Sequence, residues 1–207
     1  MQEIGLRKNG IIFFLIFFIF NCYSKEISSH FIYKTFEDAE VALGDKINYL
    51  RFLIESTNLG FIATDVEGFV MEFNVSANVT ESIETVTEMA IKFKAKDMNT
   101  DNDLRNDKLH NFCLVHTKYP NVVVEIKDEY KLRSGKQMIP ATIEVRGERK
   151  KIRVALEISK TGNDYLVEGK SLMKFSLLGL PDPSISISSV SDDIIVDFKV
   201  LVEGKKI

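Results

Sequence analysis

Between residues 47 and 202 the chain alternates apolar and polar side chains with a period of two. A strand does this when one face meets an apolar interior and the other meets water. Residues 47–55 place Leu50, Phe52 and Ile54 on one face, and residues 66–75 do the same with Phe69, Met71, Phe73 and Val75. In residues 88–96, Met89, Ile91, Phe93 and Ala95 alternate with Lys92, Lys94 and Lys96. Residues 122–126 contribute Val122, Val124 and Ile126, and residues 139–145 contribute Ile139, Ala141, Ile143 and Val145. Next, Ile152, Val154, Leu156 and Ile158 oppose Lys151, Arg153 and Glu157. Residues 165–175 align Tyr165, Val167, Gly169, Ser171, Met173 and Phe175; Val196, Phe198, Val200 and Val202 close the series. The pattern predicts eight strands, with a tight hairpin at Gly147 between the fifth and sixth.

Eight antiparallel strands can close into an up-and-down barrel, which removes exposed edges. At that strand number the interior is either filled by side chains or holds one slender ligand. Gly169, Ser171, Ala95 and Ala141 fall on the expected inner faces opposite Phe and Met, which points to unfilled volume. Ordinary large-small packing would use the same residues. The expected fold is therefore all-β, an eight-stranded antiparallel up-and-down barrel.

One segment breaks the period. Residues 100–126 begin with Thr, Asp and Asn side chains suited to capping helix amides, continue as an amphipathic stretch, and stop at Tyr119-Pro120 before a strand. A short helical insertion is expected there. These residues resemble the YceI-like polyisoprenoid-binding family of lipocalin-like barrels, through Thr100, Arg105, Leu109, Phe112, Tyr119 and Pro120. The family's later hairpin is similar to Ala141-Thr142-Ile143-Glu144-Val145-Arg146-Gly147, and its closing strand to residues 193–202. The resemblance spans about residues 46–204. Asn106, Lys108 and Cys113 depart from it, standing where the family more often has Asp, His and Phe.

The resemblance implies a binding protein, not an enzyme, that holds a long isoprenoid chain such as a quinone tail or prenyl carrier in an internal tunnel. No other cofactor is implied. The candidate lining is the set of inward positions: Leu50, Phe52, Ile54, Phe69, Met71, Phe73, Met89, Ile91, Phe93, Ile143, Val154, Leu156, Val167, Gly169, Ser171, Met173, Phe198 and Val200. The alternative is a filled barrel acting through its outer surface on another protein, which requires an apolar patch outside.

The first 21 residues read as an export signal. Arg7 and Lys8 precede an apolar run, residues 11–20, that is too short for the ~20 residues of a membrane-spanning helix. Ile19-Phe20-Asn21-Cys22 resembles a relaxed lipoprotein box, with Cys22 the residue to be acylated; cleavage after Ser24 is the competing reading. Either route places the protein in the cell envelope, with the lipoprotein form anchored in a membrane. Residues 22–45 then read as a tether and lead-in with a short amphipathic piece around Phe36, and residues 46–207 as the barrel.

Removing 21 of 207 residues leaves 186, enough for one substantial core. The remainder carries 25 Lys and Arg against 29 Asp and Glu, a balance that points away from a nucleic-acid partner. Its basic cluster, residues 146–153, reads as a solvated hairpin tip, with a cationic mouth for a lipid phosphate as the functional alternative. Cys113 has no intramolecular partner once Cys22 is removed or acylated, so no disulfide is expected. His110, Cys113 and His116 are spaced to share one helix face, but no fourth ligand accompanies them, and structural zinc nearly always takes four. Cys113 reads instead as a small buried hydrophobe and the histidines as surface groups. The Asn74 and Asn78 glycosylation-type triplets read as strand-end and turn residues.

Overall fold

In the computed structural model, which describes residues 24–132 and 135–204, the alternating segments form one antiparallel sheet curled around an apolar interior. Its strands are β1 (Lys25–Ile32), β2 (Tyr49–Asn58), β3 (Ile62–Val70), β4 (Glu72–Thr80), β5 (Thr85–Lys94) and β6 (Met98–Asn99). They continue as β7 (Asn121–Ile126), β8 (Tyr130–Lys131), β9 (Gln137–Val145), β10 (Glu148–Thr161), β11 (Asp164–Lys174) and β12 (Ser188–Val202). The neighbours run β1-β4-β5-β7-β9-β10-β11-β12-β2-β3-β6, with β8 beside β5. Seven of the eight expected strands are recovered as β2, β5, β7 and β9 to β12. The remaining one is divided.

That division carries the chain from one side of the curled sheet to the other. Residues 62–80 run as one chain, but β3 pairs with β2, placing Gly68 opposite Phe52 and Val66 opposite Ile54. β4 pairs instead with β5, placing Phe73 opposite Phe93 and Val75 opposite Ile91. At the bend between them the Met71 N–H donates to the Asp97 carbonyl (2.7 Å), and the Met71 carbonyl accepts from the Tyr33 N–H (2.8 Å). No backbone group of Met71 is thereby left unmade where the strand changes partner.

The bend also shifts the side-chain phase, correcting two expected inward positions. On β3 the interior receives Val66, Gly68 and Val70. Phe69 stands opposite Arg51, a residue whose guanidinium pairs with Glu67 and Asp197, so Phe69 lies on the outer face. It is nonetheless fully buried, its ring 5.1 Å from that of Phe36 on helix α1 (Phe36–Gly44). Met71 sits at the bend itself and belongs to neither buried apolar cluster.

The lead-in segment contributes to the fold from its first described residues. β1 pairs along β4 from Lys25 opposite Val79 to Ile32 opposite Glu72. Ser29 Oγ accepts from the Glu203 N–H (2.9 Å), tying β1 to the end of β12. Helix α1 opens with a reciprocal cap: the Asp38 N–H donates to Thr35 Oγ1 (3.1 Å) and the Thr35 N–H to Asp38 Oδ2 (3.0 Å). Those bonds hold the exposed Asp38 carboxyl below its usual range. The expected hairpin at Gly147 is a two-residue turn with Arg146 at φ 52 and Gly147 at φ 72, the handedness that suits twisted strands.

The interior is packed in two contiguous clusters. One holds Leu50, Phe73, Met89, Ile91, Val154, Leu156, Val167, Phe198 and Val200, with Phe93 against it. The other gathers Phe52, Ile143, Cys113, Leu114, Phe175 and Ile194, with Ile54 and Met173 against it. The small inward residues do not leave the volume expected of them. A Cβ at Gly169 would lie 2.3 Å from the Phe198 ring, and one at Gly68 would lie 2.1 Å from the Phe52 ring. Each ring already fills the space its glycine provides. Ala95 and Ala141 are buried within the same clusters, and Ser171 is buried with its hydroxyl donating to the Arg153 carbonyl (2.8 Å). Asn74 and Asn78 lie within β4 rather than at a strand end or turn, and Asn78 donates to Glu88 (2.6 Å).

Gly169→Ala therefore overpacks the interior. Denaturant unfolding should show a loss of about 1–3 kcal/mol, partly restored when Phe198→Leu is added. A fully stable Gly169→Ala protein would mean that the Phe198 ring is not held against residue 169.

Candidate functional site

The expected helix forms and lies over one end of the curled sheet. Asn102 Oδ1 caps helix α2 (Asp103–Asp107) by accepting from the Arg105 N–H (3.0 Å). A polar knot fixes its approach: Asn106 Oδ1 accepts from both the N–H (2.9 Å) and the hydroxyl (2.8 Å) of Thr100, while Asn106 Nδ2 donates to Asn99 Oδ1 (2.9 Å). The helix then widens into a π-helical turn, Lys108–Cys113, and the Leu114 N–H reaches back to the Leu109 carbonyl (2.9 Å). Single π turns of this kind often mark functional sites. Cys113 and Leu114 are buried beneath the turn.

Between this turn and the sheet lies a half-open cleft of about 280 Å³. Phe52, Ile54 and Val66 wall it from β2 and β3, and Leu104, Leu109 and Cys113 line it from the helical segment. Phe175, the first residue of the short helix α3 (Phe175–Leu178), lines it with Pro183, Ile185 and Val190 from the path into β12. Ser56, Thr100 and Ser188 add hydroxyls, with the Ser56 and Ser188 oxygens 3.0 Å apart. The charged lining residues are Arg105 and Lys108.

Of the eighteen candidate lining positions, the cleft contains Phe52 and Ile54. Phe69 and Met71 leave the interior at the bend. The others belong to the packed region: Leu50, Phe73, Met89, Ile91, Phe93, Val154, Leu156, Val167, Phe198 and Val200 in one cluster, Ile143 and Met173 at the other, and Gly169 and Ser171 between strands. Sequence reasoning missed Val66 because it placed the wrong phase of β3 inside. It missed Leu104, Leu109, Cys113 and Phe175 because a strand pattern alone defined the interior. The available signal was helical: Leu109 and Cys113 are four residues apart and share a face.

The reactive-looking residues have structural partners. His110 Nε2 lies 2.7 Å from the Met98 carbonyl, and the His116 ring is 5.8 Å from that of His110 in an edge-on contact. Burial pushes the Cys113 thiol above its usual range. Among the described residues no group of three or more His, Cys, Asp or Glu side chains is placed to hold a metal ion. In the basic hairpin Arg149 pairs with Glu125 (2.5 Å) and Glu144 (3.4 Å), and Lys150 with Glu148 (2.6 Å), while Arg146 donates to the carbonyl of the cleft residue Cys113 (3.1 Å); no hairpin residue lines the cleft. The hairpin is not the cationic mouth of the cleft.

A curled antiparallel sheet with a helical turn laid over its open end is a lipocalin-like architecture. The chain belongs to the YceI-like family, whose domain matches residues 47–202. Its fold is similar to that of BcnA from Burkholderia cenocepacia, with a TM-score of 0.60, 14% identity, and coverage of 74% of this chain and 95% of that one. A polyisoprenoid-binding domain from Saccharophagus degradans implicated in plant cell wall breakdown is similar at a TM-score of 0.56 and 14% identity, over 76% of this chain and 94% of that one. The YceI protein of Campylobacter jejuni is similar at a TM-score of 0.58 and 18% identity, over 69% and 87%. No curated protein sequence matches this chain.

Proposed function

We propose that this protein binds an isoprenoid-type lipid, with the chain of the ligand seated in the cleft beneath the π-helical turn. The observation that carries the reading is the cleft itself, an apolar recess open to solvent in a fold whose remaining interior is packed. Membership of the YceI-like family supports it, as does the likeness to the polyisoprenoid-binding domain. Burial of each methylene-sized unit contributes about 0.8 kcal/mol, so a prenyl chain gains affinity without catalytic groups. At about 280 Å³ the cleft is near the lower end of the ~300–1,000 Å³ typical of small-molecule sites. A long isoprenoid therefore extends beyond it, or displaces the Phe52 ring from the space over Gly68.

The protein acts in this reading as a carrier or binder rather than an enzyme, exported and tethered to the bacterial cell envelope through acylated Cys22. The leader and Cys22 lie outside the described residues. A second reading, a surface lipoprotein that docks another protein, draws on exposed apolar side chains at the β2–β3 turn and just before β12. Leu59, Phe61 and Ile187 are 61%, 77% and 65% exposed, and the Leu59 N–H donates to the Ile187 carbonyl (2.8 Å).

Organic extraction of the purified protein, followed by mass spectrometry, should recover an isoprenoid lipid. Ile54→Trp, which fills the cleft, should fold but lose most of that lipid; stabilities are to be compared after delipidation, because bound ligand raises apparent stability. A lipid-free wild type, or a folded Ile54→Trp that keeps its full complement, would contradict the reading and favour the second one. Separately, Cys22→Ala should release the protein from the membrane fraction or leave an unprocessed precursor. Unchanged membrane association, with no lipid mass on the wild-type N-terminus, would end the lipoprotein assignment.

A further inference from the structure

We infer that the ligand of the cleft carries an anionic head group, received by Arg105 and Lys108. This rests on the lipid-binding reading above and narrows its ligand class to single-chain amphiphiles with a phosphate or carboxylate head.

The reasoning begins with charge. The chain as a whole has a net charge of −3, yet the charged side chains lining the cleft are both cations. Several cations elsewhere meet carboxylates: Arg51 pairs with Glu67 and Asp197, Lys174 with Asp193, and Lys199 with Glu168. Arg105 and Lys108 bond to neutral oxygens, as Arg146 does. Arg105 Nη2 donates to the Thr100 carbonyl (2.7 Å) and its Nε to Thr100 Oγ1 (3.3 Å). Lys108 Nζ donates to the carbonyls of Pro183 and Ser184, and stands 5.9 Å from the centre of the Phe112 ring.

Carbonyl dipoles hold these heads in place without cancelling their charge. A guanidinium has five N–H donors, and the two bonds to Thr100 leave the Nη1 donors of Arg105 for a ligand. Asp182 is near enough to Lys108 for the ammonium to help lower its carboxyl, but that carboxylate first serves the Ser184 N–H and hydroxyl. Asp101 and Asp103 flank the helix start, are exposed, and are not in the cleft lining. A head group bearing negative charge is thus met by two positioned cations, while its chain lies against Phe52, Ile54 and Val66. Charge-assisted bonds of this kind are stronger than neutral ones.

Binding of two probes that share one chain tests this. Geranylgeranyl phosphate and geranylgeraniol are titrated into delipidated protein, with inorganic phosphate as a third arm. The wild type should prefer the phosphate ester by about tenfold or more, and inorganic phosphate alone should bind far more weakly. Arg105→Gln and Lys108→Gln should each reduce the preference, and the double variant should bring it to about unity. Arg105→Lys, which keeps the charge should the Thr100 contacts matter for folding, should retain most of it. Arg149→Gln, altering a hairpin cation outside the cleft, should leave the ratio as in the wild type. Equal binding of ester and alcohol by the wild type overturns the inference while the lipid reading stands. Binding of neither overturns both, and inorganic phosphate binding as tightly as the ester overturns the assignment of the chain to the cleft.

Discussion

The structure depends on a change of partner at Met71. The sheet is a curled path whose end strands are β1 and β6. Here residues 62–80 serve β2 first and β5 afterwards, so one continuous chain joins the two ends of the sheet. The carbonyl of Asp97 and the amide of Tyr33 satisfy the Met71 backbone where the ladder is interrupted. β1 then covers the free side of β4, and its Ser29 hydroxyl reaches the backbone of Glu203 beyond β12. The change of partner brings a phase shift, which sends Phe69 outward, where α1 covers it.

The packing of the curled sheet also sets where a ligand can go. Phe198 fills the space of Gly169 and Phe52 fills that of Gly68, so the sheet contracts onto its own side chains. The recess survives where the sheet meets elements of a different period. The π-helical turn and the connection from α3 to β12 cannot mesh with the pleat as a further strand would. Their Leu109, Cys113, Pro183 and Ile185 stand off from Ile54 and Val66, and an apolar cleft remains. The polar knot of Thr100, Asn106 and Asn99 holds the roof in register, so the opening is built into the fold.

Much of the architecture was legible because period-two patterning is a direct consequence of one buried face. Seven strands, a helical insertion after Thr100 and the tight turn at Gly147 could all be read from residue order. β1 was missed because Ser28, Ser29 and His30 dilute its alternation, and its partner β4 was hidden inside a longer pattern. The phase shift at Met71 was unreadable for a related reason: Phe69, Met71, Phe73 and Val75 alternate without a break, and only the change of neighbour reverses half of them. The site was less legible still. Glycine opposite phenylalanine is compatible with both a vacancy and an interlock, and sequence does not say which way a ring turns. Cys113 was recognised as a buried hydrophobe, but its place in a cleft wall depends on the widened turn. The long-range contacts of Lys108 with residues 183 and 184 leave no local signature either.

The central claim is that an apolar chain lies between the β2–β3 wall and the π-helical turn. Photo-crosslinking with a diazirine-bearing prenyl probe, followed by peptide mapping, tests it most directly. The account predicts labels on Phe52, Ile54, Val66, Leu109 and Pro183, suppressed by excess unlabelled geranylgeraniol. Labels confined to the exposed Leu59, Phe61 and Ile187, or to the outer strand faces, with the cleft residues unmarked, would contradict it.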